Sequence, residues 1–285
     1  MSLLFVRTAL GITLMTTAFA TLKIEDEEGL RWIRFDRARK MNAFDEHQWT
    51  ELGQALDAAA ADDKVRCIAL GSSSGHFSSG YDLPAALKEL EGAGPAEIRR
   101  HIGRGNQACW KVWHSKKPVI AAVEGYCLGG AFELAMACDF VLADAGSTFG
   151  EPEARVAASA PFLVTPWVMG IRHAKEVLLT GEMMTAERAE RIGIVNELCQ
   201  PGQLKTRVRE WARKLQAFPA GIWALNKAAV NRSYEIMGFS SAIAMGEDAF
   251  VELCFLPDPF KIELEQRVKR DGFAAAIRWV QSRFE

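Results

Sequence analysis

An α/β fold is what this sequence predicts, on three observations. Short apolar segments such as VRCIAL (65–70) and PVIAAVEG (118–125) have the length and β-branched content of buried strands. Stretches with apolar residues at helical spacing alternate with them, and strand–helix alternation is the mark of layered α/β architecture. No fixed-period repeat and no low-complexity tract breaks the pattern.

The elements follow in order. Residues 1–20 read as an extension outside the core. The uncharged run TALGITLMTTAFATL (8–22) follows a single arginine, is too short to span a bilayer and is broken by Thr and Gly. Ala18-Phe19-Ala20 only faintly resembles a signal cleavage site. From Thr21, TLKIEDEEGLRWIRF alternates apolar and polar residues about an acidic turn ending at Gly29, which predicts a β-hairpin. Asp45 caps a helix, with Gln48 three residues on as its partner and Trp49, Leu52 and Leu56 on one face. GSSSG ends the VRCIAL strand, and a polar helix covers about 95–114. After PVIAAVEG come a helix over 130–138, a strand at 139–143, helices at 173–180 and 185–192, and the strand-like GIVNEL. Leu204, Val208, Trp211, Leu215 and Phe218 stripe a helix that Pro219 stops. Residues 222–285 are mainly helical, with a loop at LPDPF (256–260). The chain thus divides into an extension (1–20), a core (21–200) and a C-terminal helical region (201–285).

Composition excludes several functions. The 285 residues are 49% hydrophobic and 25% charged, ordinary for a soluble globular protein. A net charge of −2 supplies no basic field, so neither nucleic acid nor a membrane is an expected partner. The six cysteines are scattered without a CxxC pair, which predicts buried free thiols in a reducing, cytoplasmic setting and no zinc site. His76, His101, His114 and His173 also lack metal spacing. GSSSG (71–75) matches the letters of a nucleophile elbow but runs into a loop rather than a helix.

Glu133 and Glu153 carry the chemistry. Glu133 lies in CLGGAFELAMACD, where Gly129-Gly130 opens a helix after a buried strand. Glycines there allow close backbone approach, and the free N–H groups of a helix start favour negative charge. The Gly130 N–H is placed to bind a developing oxyanion. HFSSGYDL (76–83) can offer a second N–H, from Ser79. STFGEPE (147–153) presents Glu153 on a rigid turn. Two converging carboxyls can hold a water and divide acid and base roles.

In that order and spacing, these segments resemble the crotonase superfamily, best known for its enoyl-CoA hydratases. LLTGEMMTAERAERIGIVNEL adds a later helix and strand of the family pattern, and the similarity spans about residues 21–218. The resemblance implies a spiral of repeated ββα turns, with C-terminal helices that assemble a homotrimer or a dimer of trimers. It implies an acyl-CoA thioester substrate, with CoA carried on the substrate and no separate cofactor or metal. The oxyanion hole would be the N–H groups of Ser79 and Gly130, and the catalytic pair Glu133 and Glu153. Ser78, Gly80, Tyr81, Asp82 and Leu83 would run beside CoA and the thioester. Arg37, Arg39 and Lys40 lie where relatives bring positive charge near CoA phosphates. Retention of both glutamates favours hydration of a 2,3-double bond. An isomerase, a hydrolase, a C–C lyase or a non-catalytic acyl-CoA-binding subunit is the alternative.

One segment departs from the family pattern. EARVAASAPFLVTPWVMG (153–170) replaces the glycine-rich turn that follows the second glutamate in hydratases. Phe162 or Trp167 is therefore expected to shape the acyl pocket.

Overall fold

Residues Glu28 and Gly29, both at positive φ, reverse the chain between β1 (Leu22–Glu27) and β2 (Leu30–Phe35). Such a turn matches the right-handed twist of the paired strands, and the expected hairpin forms. The computed structural model describes residues 19–284. Most of the N-terminal extension lies outside the described residues. At their start, the Ala20 and Thr21 N–H groups donate to the Glu51 carboxylate at 2.7 and 2.8 Å.

A six-stranded sheet forms the spine, in the order β1-β2-β3-β4-β6-β9. Beyond the hairpin, β2, β3 (Cys67–Ser72), β4 (Val119–Val123), β6 (Phe140–Asp144) and β9 (Glu197–Cys199) all pair in parallel. Parallel strands are covered on both faces, so they read as continuous apolar runs. Ile68, Leu70, Ala121, Val123 and Val141 face one core, packed by α1 (Glu46–Ala61), α3 (Pro95–Trp113) and α4 (Gly130–Ala137). Trp32, Ala69, Ile120 and Leu142 face the other, closed by Leu204, Val208 and Ala212 of α8 (Leu204–Gln216).

A second sheet has the order β5-β7-β8: β5 (Tyr126–Leu128), β7 (Thr148–Gly150) and β8 (Met184–Thr185). The chain climbs by laying one strand in each sheet before a helix: β4, β5, α4, then β6, β7 and a 3-10 turn at Pro152–Val156. This is the repeated ββα spiral. The three strands of the small sheet are too short to stand out in the sequence. The helix α2 (Leu83–Glu89), capped by Asp82, was likewise not anticipated. GIVNEL is a strand only from Glu197. After α7 (Ala186–Arg191), the N–H groups of Ile194 and Val195 turn back to the Ala189 carbonyl, which drops both side chains into the core as a loop.

Behind the sheets, α5 (Thr165–Val168) and α6 (Ile171–Thr180) precede β8, and α9 (Ala220–Ile236), α10 (Phe239–Phe255), α11 (Pro259–Asp271) and α12 (Phe273–Gln281) end the chain. In α10, Phe239 stacks on Trp113 at 4.3 Å and Val251 packs with Ile98 and Ile102, so α10 is fixed to α3. No residue of α9 is buried. Its Lys227 donates to Asp139 at 2.8 Å and its Asn231 to the Trp113 carbonyl at 2.7 Å. Among the described residues, no helix is long and apolar enough to cross a membrane.

Asn42 organises the loop that leads into the site. It is fully buried, at φ +55°, a conformation asparagine tolerates better than most residues. Its amide donates to Ser72 Oγ at 2.9 Å and the His76 carbonyl at 2.7 Å, and accepts from the Arg37 N–H at 2.8 Å. Replacing it with alanine leaves those buried groups unpaired. Chemical denaturation of Asn42→Ala should show a loss of about 2–4 kcal/mol in unfolding free energy.

Candidate active site

The start of α4 is built for close approach. Gly129 sits at φ +55°, and a Cβ there would fall 1.5 Å from Glu153 Oε1. A Cβ on Gly130 would fall 2.5 Å from the Tyr81 ring, and one on Gly105 would fall 2.4 Å from the Tyr81 hydroxyl. Tyr81 therefore lies in a slot between α3 and α4 that only glycines leave open. The Gly130 N–H takes no acceptor among the described residues, so a donor at a helix start remains free. One turn on, Glu133 is 1% exposed, and its Oε1 accepts the Phe162 N–H at 2.8 Å.

Three acids meet beside this helix start. After β7, Glu151-Pro152-Glu153 enters the 3-10 turn, and both flanking carboxyls face the cavity that Glu133 also lines. Both oxygens of Glu151 and Oε2 of Glu153 are buried without a donor. The cavity has a volume of about 610 Å³, within the roughly 300–1,000 Å³ usual for small-molecule sites. Tyr81, Leu83, Leu87, Ile98 and Ile102 form one wall; Val156 and Ala158–Pro161 form another. The remainder comes from the C-terminal helices, through Phe250, Leu264, Val268, Phe273 and Ile277.

Burial dominates the electrostatics. It pushes the Glu133 carboxyl well above its usual range, with the Phe162 N–H pulling back and the Glu153 charge pushing further. Glu151 is also pushed well up, by burial and then by Glu153 and Glu133. Burial raises Glu153 to about 7, opposed by its own N–H and by a hydrogen bond with Glu151. Three carboxyls in one apolar cavity cannot all ionise, so they titrate as a set that shares protons. The Phe162 N–H and the helix dipole favour placing the charge on Glu133.

The predicted residues divide into those that reach the cavity and those that do not. Glu133, Glu153, Gly130, Tyr81 and Leu83 line it. Ser78, Ser79, Gly80 and Asp82 do not; they build the loop beneath. Ser78 Oγ accepts the Gly80 N–H at 3.0 Å, and Gly80 sits at φ +90° against the Leu128 carbonyl. The Ser79 N–H, expected to be a free donor, goes to the Met41 carbonyl at 3.0 Å. Asp82 caps α2 and pairs with Arg37 at 3.3 Å and Lys40 at 3.7 Å. Of the basic cluster, Arg39 alone is left without an ion pair among the described residues.

The expectation for Phe162 and Trp167 needs correction. Neither lines the cavity. Phe162 is fully buried, edge-on to Trp110 at 5.3 Å, and Trp167 lies edge-on to Phe239 at 5.4 Å. The cause is α10, which presses on this segment so closely that a Cβ at Gly246 would fall 2.8 Å from Leu163. The contribution of Phe162 is its main-chain N–H to Glu133. Sequence reading also passed over Glu151, although an acid two residues from Glu153 was a visible signal. His101 also lines the cavity but bonds Glu89 at 2.9 Å.

A carboxyl raised on folding binds its proton more tightly in the folded than in the unfolded chain. Its stabilising effect is full below the unfolded value of 4.5 and is lost as pH rises through the folded value, about 7 for Glu153. Thermal melts should therefore show Tm falling from weakly acid to alkaline pH, and Glu153→Gln should flatten that fall. At alkaline pH the variant should melt higher by on the order of 5 °C.

Comparison with known proteins shows the family and the fold. The enoyl-CoA hydratase/isomerase family model matches residues 25–254. A crotonyl-CoA hydratase of Syntrophomonas wolfei is 33% identical over 242 residues, which cover 84% of this chain and 91% of that protein. A short-chain-enoyl-CoA hydratase of Clostridium acetobutylicum is 29% identical over 88% of this chain and 96% of its own length. The crystal structure of an enoyl-CoA hydratase/isomerase from Xanthobacter autotrophicus Py2 superposes with a TM-score of 0.90 at 34% identity, over 94% of this chain and all of that one. Sequence motifs, ββα spiral and paired glutamates thus converge, and the chain belongs to the enoyl-CoA hydratase/isomerase family.

Proposed function

We propose that this protein is a 2-enoyl-CoA hydratase, adding water across the 2,3-double bond of an acyl-CoA thioester. The observation that carries the reading is the meeting of Glu133 and Glu153 in one apolar cavity beside the free Gly130 N–H. Attack of water at C3 moves charge onto the thioester oxygen. A main-chain donor aimed at that oxygen lowers the barrier by about 3–4 kcal/mol. Gly130 supplies the first donor. Ser79 adds a second when its N–H is shared between the thioester oxygen and the Met41 carbonyl or leaves that carbonyl.

The protons then balance. Glu133, ionised and steadied by the Phe162 N–H, takes a proton from water as hydroxyl bonds to C3. The enolate-like state collapses as Glu153 delivers its proton to C2. A 3-hydroxyacyl thioester leaves, and proton exchange returns the pair to its starting state. Main-chain dipoles polarise the carbonyl, so the chemistry calls for no metal or prosthetic group. Beyond the acids most of the lining is apolar, which suits a hydrocarbon acyl group and a place in fatty-acid or other lipid metabolism. Lys88, Lys261 and Lys269 stand among the lining residues, as cations that CoA phosphates would meet.

Assembly as a homotrimer or a dimer of trimers fits the tail. Leu225 and Ile236 of α9 are 73% and 78% exposed, and Met245 of α10 is 69% exposed. A monomer presenting that much apolar surface is disfavoured. All six cysteines are free, which fits a cytoplasmic setting.

Three measurements test the reading. Incubation with a panel of enoyl-CoA esters, followed by mass spectrometry, should show addition of water; release of free CoA thiol would make the protein a hydrolase. Glu133→Gln should lower kcat by roughly 10²–10⁴-fold while leaving acyl-CoA binding nearly unchanged in calorimetry. Because Glu153 must be protonated to donate, kcat/KM for hydration should fall as pH rises through about 7. A profile flat across that range removes Glu153 from the donor role.

A further inference from the structure

Glu151 stands two residues before Glu153, with Pro152 fixing the backbone between them. Its side chain is 2% exposed, and neither oxygen meets an N–H or a hydroxyl among the described residues. Among the described residues, no lysine or arginine pairs with Glu133, Glu151 or Glu153. A lone ionised carboxylate in such a place is strongly disfavoured. The acid next to it in the cavity lining is Glu153, and the electrostatics of the two carboxyls carry a hydrogen bond between them. Two carboxylates repel each other, and two carboxyl groups bond only when one keeps a proton to donate.

The surroundings decide which one keeps it. The other carboxyl acting on Glu151 is Glu133 of α4, and Cys127 of β5, Cys109 of α3 and Tyr81 all stand close enough to feel its charge. Burial pushes both thiols and the phenol up, so all three stay neutral and none offers Glu151 a counter-charge. Glu151 is the more deeply buried of the two neighbours, and Glu153 is held up only to about 7.

We propose that Glu151 is a positioning residue for the reaction: it retains its proton and donates it as a hydrogen bond to Glu153, holding that carboxyl toward the alkene. No bond to Glu151 forms or breaks during turnover. The assignment rests on the hydration reading for its kinetic consequence, though not for the pairing itself. In sequence terms, the first glutamate of FGEPE serves the second.

The test compares the wild type with Glu151→Leu, which fills the space without a donor, and Glu151→Gln, which keeps a donor but cannot titrate. Glu151→Leu should lower kcat roughly 10- to 100-fold through misplacement of Glu153, with KM within about threefold. The pH midpoint of kcat/KM should move upward, because Glu153 loses the bond that favours its ionised form. Glu151→Gln should recover most of kcat and restore the midpoint, a rescue that mere packing would not give. Glu151→Leu with kcat and midpoint unchanged overturns the proposal. An infrared titration separates it from the hydration reading. At a pH above the Glu153 midpoint of both proteins, the wild type should keep a protonated-carboxyl band that Glu151→Leu lacks. No such band in the wild type overturns the pairing whether or not the protein hydrates. A band present and lost in the variant, in a protein that hydrates no enoyl-CoA, would sink the reaction and leave the pairing standing.

Discussion

Desolvation of carboxyl groups is the constraint on which the site depends. Glu133, Glu151 and Glu153 are gathered where water reaches them poorly and where, among the described residues, no cationic side chain answers them. In water each would be a separate, ionised surface acid. Together in an apolar cavity they exchange protons among themselves, which makes one member able to accept a proton while a neighbour gives one. Folding bears the cost of that arrangement and packing elsewhere offsets it, above all the two apolar layers on either side of the parallel sheet.

The backbone supplies what the acids cannot. Gly129 lets the Glu153 carboxyl lie almost against its Cα, and Gly130 does the same for the Tyr81 ring. Two adjacent residues without side chains thus bring an acid, an aromatic wall and an unpaired N–H to one helix start. The Phe162 N–H then ties Glu133 to the segment that replaces the glycine-rich turn of the family pattern. Losing those glycines has not removed the support of the acid; a main-chain donor held in place by aromatic packing provides it.

How much of this could be read in the sequence depended on range. The hairpin at residues 22–35, the capped helix after Asp45 and the glycine pair before Glu133 are encoded within a few residues of themselves, and pattern alone located them. Phe162 and Trp167 were misplaced because their direction is set by α10, far along the chain, whose Phe239 and Gly246 draw that segment into the core. The engagement of the Ser79 amide was invisible for a similar reason: a main-chain bond to Met41 leaves no trace in residue type. Glu151 is in plain view, but an acid two residues from Glu153 reads as surface charge until its burial is known. The small sheet of β5, β7 and β8 consists of strands shorter than any periodicity can register.

The division at residue 200 separates elements by type and cuts through the cavity. Phe250, Leu264, Phe273 and Ile277 come from the tail, while Glu133, Glu151 and Glu153 come from the spiral. In the proposed reaction, reactivity and selectivity are therefore drawn from different stretches of chain. Exchanging α10–α12 with those of a relative would retune which acyl groups fit while the proton-handling machinery stayed as it is, a modularity that the continuous packing of the molecule conceals.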